Sequence, residues 1–207
     1  DTGLGLERTA ALLQGVENIY EIDTTKIILD KASDLTKAKY GKEEKTDVSL
    51  RVIADHTRTA MMLIGDGVLT GNEGRGYVLR RIFRRAVRHA YLLGTDKLVM
   101  PKLVETAIEV MQEAHPTLKT NKDFILGVLT KEEESFRQTL KNGLTILETE
   151  FSTIKESKKK STLSGQSAFV LHDTYGFPLE LTQEIAGERN IDVDISGFEK
   201  EMDAQRK

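Results

Sequence analysis

Between Gly74 and Thr95 the chain carries six arginines (Arg75, Arg80, Arg81, Arg84, Arg85, Arg88) and no acidic residue. Arginine's planar, permanently charged fork suits phosphate or carboxylate, and an all-positive stretch is the footprint of a polyanion partner. Five of the six fall in a segment with helical periodicity, Tyr77 to Leu93. With Val78 at zero and about 100° per residue, Ile82, Ala86, Leu79, Ala90, Phe83 and Val87 run from about 40° to 180°. Arg80, Arg84, Arg88, Arg81 and Arg85 follow from about 200° to 340°. A solvated surface helix usually mixes signs at i,i+4, and this one does not. Phosphate contact is therefore the favoured reading for part of the face. Arginines near the apolar edge have the alternative of internal salt bridges.

The loop before this helix holds five glycines in twelve residues, GDGVLTGNEGRG over Gly65–Gly76. Its glycines permit unusual backbone angles, and the helix N-terminus that follows has N–H groups that suit an anion. No Gly-Lys-Ser/Thr follows, so it is not a Walker loop. Asn72 reads either as a turn residue or as a recognition residue. The histidines His56, His89, His115 and His172 show no zinc spacing, and the chain has no cysteine. His56 falls on the apolar side of its helix, which fits a core or supporting role. No nucleophile–base pair is visible.

These residues sit in a chain of 207 with 39% hydrophobic and 30% charged residues and a net charge of −3, the balance of a folded globular protein. No apolar run reaches the roughly 18–20 residues of a membrane span. The opening DTGLGLER has neither a basic start nor an apolar stretch, so a cytoplasmic location is expected. The periodicity is helical almost throughout, with only three prolines. Helices are expected at Leu6–Leu13, Thr24–Lys39 (Ile27, Ile28 and Leu35 inward), Leu50–Ile64 with Asp47 or Ser49 as cap, and Lys102–Ala114. The polar stretch Tyr40–Asp47 reads as a loop. One long helix is expected over 123–154, where Leu140, Leu147 and Ile154 repeat every seven residues and Gly143 is a weak point; it should need an antiparallel partner. Lys155–Ser164, with Lys158, Lys159 and Lys160, reads as a mobile loop. Three short helices follow, near Gly165–His172, Pro178–Arg189 and Ile195–Arg206, with Pro178 in a first turn. No internal repeat and no strand pair is expected.

Three stretches in this order resemble alanyl-tRNA synthetases of class II. DTGLGLER resembles motif 3, GNEGRGYVLRRIFRRAVRHAYLLG with VIADHTR before it resembles the middle-domain signature, and LHDTYGFPLELT resembles the next family block. The resemblance implies a fold and an activity. The fold is all-α: a helical tRNA-recognition domain over 16–207, with a possible sub-boundary near 155–164, behind a remnant of the catalytic domain over 1–15. The chain, opening at Asp1 in mid-motif, would be a piece of an enzyme that activates alanine with ATP and magnesium and passes it to tRNA. Asp1 would hold the alanine ammonium, Gly3 and Gly5 would allow close approach to adenine, and Arg8 would contact ATP. Asn72 and Asp173 would read a G·U wobble pair in the acceptor stem, with Arg75, Arg80, Arg81, Arg84, Arg85 and Arg88 on the RNA backbone. An RNA duplex offers its wide minor groove, where guanine's 2-amino group is the distinctive donor, so a carboxylate and an amide are suited to it. The piece alone, with one ATP motif, is expected to be catalytically inactive and to need no cofactor. Its partner is the alanine tRNA acceptor stem, not DNA or a membrane; the oligomeric state is left open. A generic helical nucleic-acid-binding module and a protein-interaction module are the alternatives, and motif 3 separates the first reading from both.

Overall fold

The computed structural model describes residues 2–156 and 162–205, so Asp1 and the lysine run at 158–160 lie outside the described residues. Ten α-helices and one pair of two-residue strands make up the regular structure there. Two compact units divide the chain, Asp1–Glu134 and Ser135–Lys207. The division falls inside the long helix and not in the polar stretch at 155–164.

The first unit is a helical assembly built on α3 (Glu44–Gly65) and α4 (Gly74–Leu92), which pack extensively on one another, with α2 (Asp23–Thr36) and α5 (Met100–Met111) against α3. Helix α3 begins within the stretch expected to be a loop. Its N-cap is Glu43, not Asp47 or Ser49. Asp47 sits in the first turn and accepts the Gly41 N–H at 2.7 Å, which draws the preceding turn onto the helix. Ser49 is buried and its Oγ lies 3.0 Å from Nδ1 of His89 on α4. On α2, Ile28 and Leu29 are buried while Ile27 faces solvent, so the apolar stripe is one position away from the expected one. The short helix α6 (Pro116–Thr120), started by proline, had no counterpart in the periodicity. Helix α1 (Leu6–Gln14) is tied to α3 by a bidentate ion pair from Arg58 to Glu7, while Leu4, Leu6, Leu12 and Leu13 remain exposed.

The long helix α7 (Lys122–Glu156) is the longest element, as the periodicity requires. Its buried positions are Ile125, Leu129, Glu132, Glu133, Phe136, Leu140, Gly143, Leu147 and Phe151. Steps of three and four residues place them along one stripe.

In the second unit, β1 (Thr162–Leu163) pairs in parallel with β2 (Asp192–Val193), so the expectation of no strand pair is corrected. Each strand runs through a capping residue into a helix. Ser164 caps α8 (Gly165–Asp173) by accepting the Ser167 N–H at 3.0 Å. Asp194 caps α10 (Ile195–Gln205) by accepting the Gly197 N–H at 2.9 Å. Side-chain oxygens at these positions satisfy N–H groups that the helix leaves unpaired. Between them lies α9 (Leu179–Gly187), with Pro178 at its N-cap and not in its first turn.

Gly143 has a packing role. A Cβ there would lie 2.5 Å from Cδ2 and 2.7 Å from Cε2 of Phe177, whose ring is fully buried and also lies 6.5 Å from that of Phe136. Alanine would gain about 1 kcal/mol in helix propensity and lose about 1–3 kcal/mol by overpacking. We expect Gly143→Ala to lower the urea midpoint of the second unit; a raised midpoint would show that the ring shifts freely.

Candidate nucleic-acid interface

The arginine face of α4 divides into two populations. Arg84 and Arg88 are buried, Arg80 is half-buried, and Arg75, Arg81 and Arg85 are exposed. The buried arc runs further round the helix than the apolar residues alone indicate, and the five residues Ala86–Ala90 are all buried. Val78, by contrast, is exposed. The open face therefore runs from Arg81 through Arg85 and Val78 to Arg75.

Glu132 of α7 organises the inner population. Arg84 donates from Nε to Glu132 Oε1 at 2.7 Å, and Arg80 Nε lies 3.4 Å from the same oxygen. Burial pushes the Arg84 guanidinium below its ordinary range, and the Glu132 charge partly offsets this. A guanidinium so enclosed offers no surface to a phosphate, so Arg84 and Arg88 are removed from the expected RNA-backbone set. The neighbouring Glu133 is fully buried and accepts the backbone N–H groups of Val99 at 3.1 Å and Met100 at 2.9 Å. It thereby neutralises the N-terminus of α5.

Asn72 sits in the exposed loop before α4, where its Oδ1 accepts from a terminal nitrogen of Arg80. Arginine only donates, so the amide oxygen faces it and the NH₂ group remains as the donor. The loop needs its glycines at two positions. Gly74 has φ +56°, and a Cβ on Gly76 would lie 2.6 Å from the Leu69 carbonyl oxygen and 2.9 Å from the Gly71 nitrogen. Asn72 is thus carried on a loop folded tightly onto the first turn of α4. Close by in sequence to this surface, His56 of α3 takes part in a short relay. Its Nδ1 is 2.9 Å from Asp55 Oδ2, and its Nε2 is 3.4 Å from a terminal nitrogen of Arg85. The hydrogen bond from His56 holds the Asp55 carboxyl below its ordinary range.

Asp173 belongs to the second unit. It is the exposed last residue of α8, directly before the turn at Thr174–Tyr175. A carboxylate at a helix C-terminus opposes the helix dipole, which is an unfavourable place for a purely structural acid. Its Oδ1 accepts from Gln205 Nε2 at 2.5 Å. Of the N-terminal set, Gly3 and Gly5 are exposed, as is Arg8 on α1. Among the described residues no cluster of His, Asp or Glu is disposed to hold a metal ion, and no helix is long and apolar enough to cross a membrane.

Residues 1–207 match the family model described as tRNA synthetases class II (A). The chain belongs to that family. It is 52% identical over its full length to an alanine–tRNA ligase of Frankia casuarinae, 48% to one of Caldicellulosiruptor saccharolyticus and 47% to one of Clostridioides difficile. It spans 23% of the length of each of these relatives. For this class II synthetase chain, the sequence reading had missed Glu132, Glu133 and Gln205. The two glutamates lie in the charged run Lys131–Glu134, which reads as solvated unless the three- and four-residue steps of α7 are followed through it.

The division of the arginine face has a direct consequence for stability. Arg84→Ala leaves the Glu132 carboxylate enclosed without its main partner and should cost about 3–5 kcal/mol. Arg85→Ala, on the open face, should stay within about 0.5 kcal/mol. Chemical denaturation followed by circular dichroism measures both, and equal effects would contradict the division.

Proposed function

We propose that this chain is the acceptor-stem-reading part of an alanine–tRNA ligase. The supporting observation is the open face of α4. Exposed Arg75, Arg81 and Arg85 lie on the helix whose preceding loop presents Asn72, and Arg80 fixes the Asn72 oxygen. Arginines on such a face hold phosphates and position the protein, and side chains reaching base edges specify the sequence. Asn72, with its oxygen held by Arg80, supplies its NH₂ as a donor to the minor groove of an RNA duplex. Asp173 supplies an acceptor for the 2-amino group of guanine, which wobble pairing leaves available. One reader is carried by each unit, and the pair read is a G·U wobble in the acceptor stem. Half-buried Arg80 serves the reader more than the backbone.

In the whole enzyme, ATP with magnesium supplies the activation of alanine. Arg8, exposed on α1, and Gly3, around which an added Cβ meets nothing, fit a nucleotide-facing edge, and Asp1 is assigned to the alanine ammonium by resemblance alone. This chain by itself forms no adenylate, and its work is to bind tRNA in the cytoplasm. The all-positive open face with a single amide at its head favours RNA over an acidic protein surface or the major groove of DNA.

Two measurements test the backbone and base roles separately. With Arg81 and Arg85 both replaced by alanine, binding to G·U and G·C acceptor hairpins should weaken alike. The magnitude of the log–log salt slope should fall by about one to two, since fewer counterions are released. An unchanged slope in the folded double variant would remove these arginines from the RNA.

Asp173→Ala and Asn72→Ala should instead lower the preference for G·U over G·C, each by about 1–3 kcal/mol, while most of the shared affinity persists. Competition between the two hairpins reads this directly. Equal loss on both hairpins in both variants would refute base reading.

A further inference from the structure

The hydrogen bond between Gln205 and Asp173 closes a rigid arrangement of α8 and α10. The two helices follow parallel strands, and they start backbone against backbone: a Cβ on Gly165 would strike Gly197 and the Phe198 nitrogen. Phe198 then meets both Phe169, with ring centroids 6.4 Å apart, and His172, edge-on at 5.5 Å. At the far ends, Gln205 Nε2 donates to Asp173 Oδ1 at 2.5 Å. Gly165 and Asp173 are as far apart in sequence as Gly197 and Gln205, so the helices run side by side in one direction and in step. The C-terminal end of α8 and Gln205 of α10 consequently meet at one exposed carboxylate.

The C-terminal end of α8 repels that exposed carboxylate. Gln205 is a neutral donor and engages one oxygen, and Oδ2 has no hydrogen-bond partner among the described residues. We infer that Gln205 is a positioning residue for Asp173: it orients the carboxylate for an N–H donor of a nucleobase and touches no RNA itself. The inference rests on Asp173 being a base reader, as proposed above. Holding Asp173 in one rotamer before the ligand arrives removes an ordering cost from binding. The benefit goes to the ligand that supplies the matching donor, and it therefore enters as discrimination and not as general affinity.

The test uses the full chain with acceptor hairpins that differ only in carrying a G·U or a G·C pair. Gln205→Ala should reduce the G·U preference by about three- to tenfold, the equivalent of fixing one side chain, with the thermal midpoint and the G·C affinity unchanged. Gln205→Glu, similar in shape but acidic, should reduce the preference at least as far. On an Asp173→Ala background, Gln205→Ala should change nothing. In the RNA-free chain, the side-chain amide resonances of Gln205 should shift on Asp173→Ala. If Asp173→Ala loses the preference while both Gln205 variants keep it, the positioning role is overturned and base reading stands. If the unmodified chain has no preference for G·U, base reading falls and this inference falls with it.

Discussion

Two adjacent carboxylates in the middle of α7 set what the first unit can do. Glu132 and Glu133 occupy positions in a stripe otherwise made of isoleucine, leucine, phenylalanine and glycine. Removing two charges from water costs several kcal/mol each unless partners compensate. The partners are a guanidinium for Glu132 and a helix N-terminus for Glu133. Because successive residues on a helix point about 100° apart, one turn of α7 addresses two neighbours at once, α4 through Arg84 and α5 through its first N–H groups. Apolar residues at the same two positions would pack as well but would offer no directional contact; the charge pair adds one between α7 and α4, whose apolar stripe is already buried.

The same pairing explains why an all-arginine face does not imply an all-arginine binding surface. Arg84 and Arg88 lie inside, and Arg80 bridges from Glu132 to the Asn72 oxygen. A continuous series of polar contacts thus runs from the middle of α7 to an exposed amide at the loop. The glycines at 74 and 76 let the loop lie close enough for an arginine nearly two turns along α4 to reach back to Asn72. Rigid support of this kind is what an exposed side chain needs if it is to tell one base pair from another.

Most helices were legible from periodicity because they bury one stripe against their neighbours, and α4, α7 and α8 fall close to where the apolar spacing puts them; α1 falls there too although its leucines stay exposed. The start of α3 was hidden by a polar opening whose helical form depends on Asp47 reaching back to Gly41, a contact that composition does not encode. The parallel strand pair joins segments about thirty residues apart through two residues each, too short for alternation to register. In α4 the wheel separated apolar from charged residues correctly, but it could not separate buried from exposed arginines. That distinction depends on a glutamate 48 positions away in sequence. Asn72 and Asp173 were reached only through the family resemblance. Their supporting residues, Arg80 and Gln205, become visible only in three dimensions.

A carboxylate at the C-terminus of α8 is a costly feature to keep, and the form of the cost indicates what it suits. The α8 dipole disfavours the charged acid, so any donor that approaches gains more there than it would at a neutral site. A lysine or arginine would gain most, yet the residue found there is glutamine, a neutral donor that satisfies one oxygen without cancelling the charge. The second oxygen has no hydrogen-bond partner among the described residues. The donor proposed above for this acid, the 2-amino group of guanine, suits such an acceptor because it donates a hydrogen bond without bringing a charge of its own.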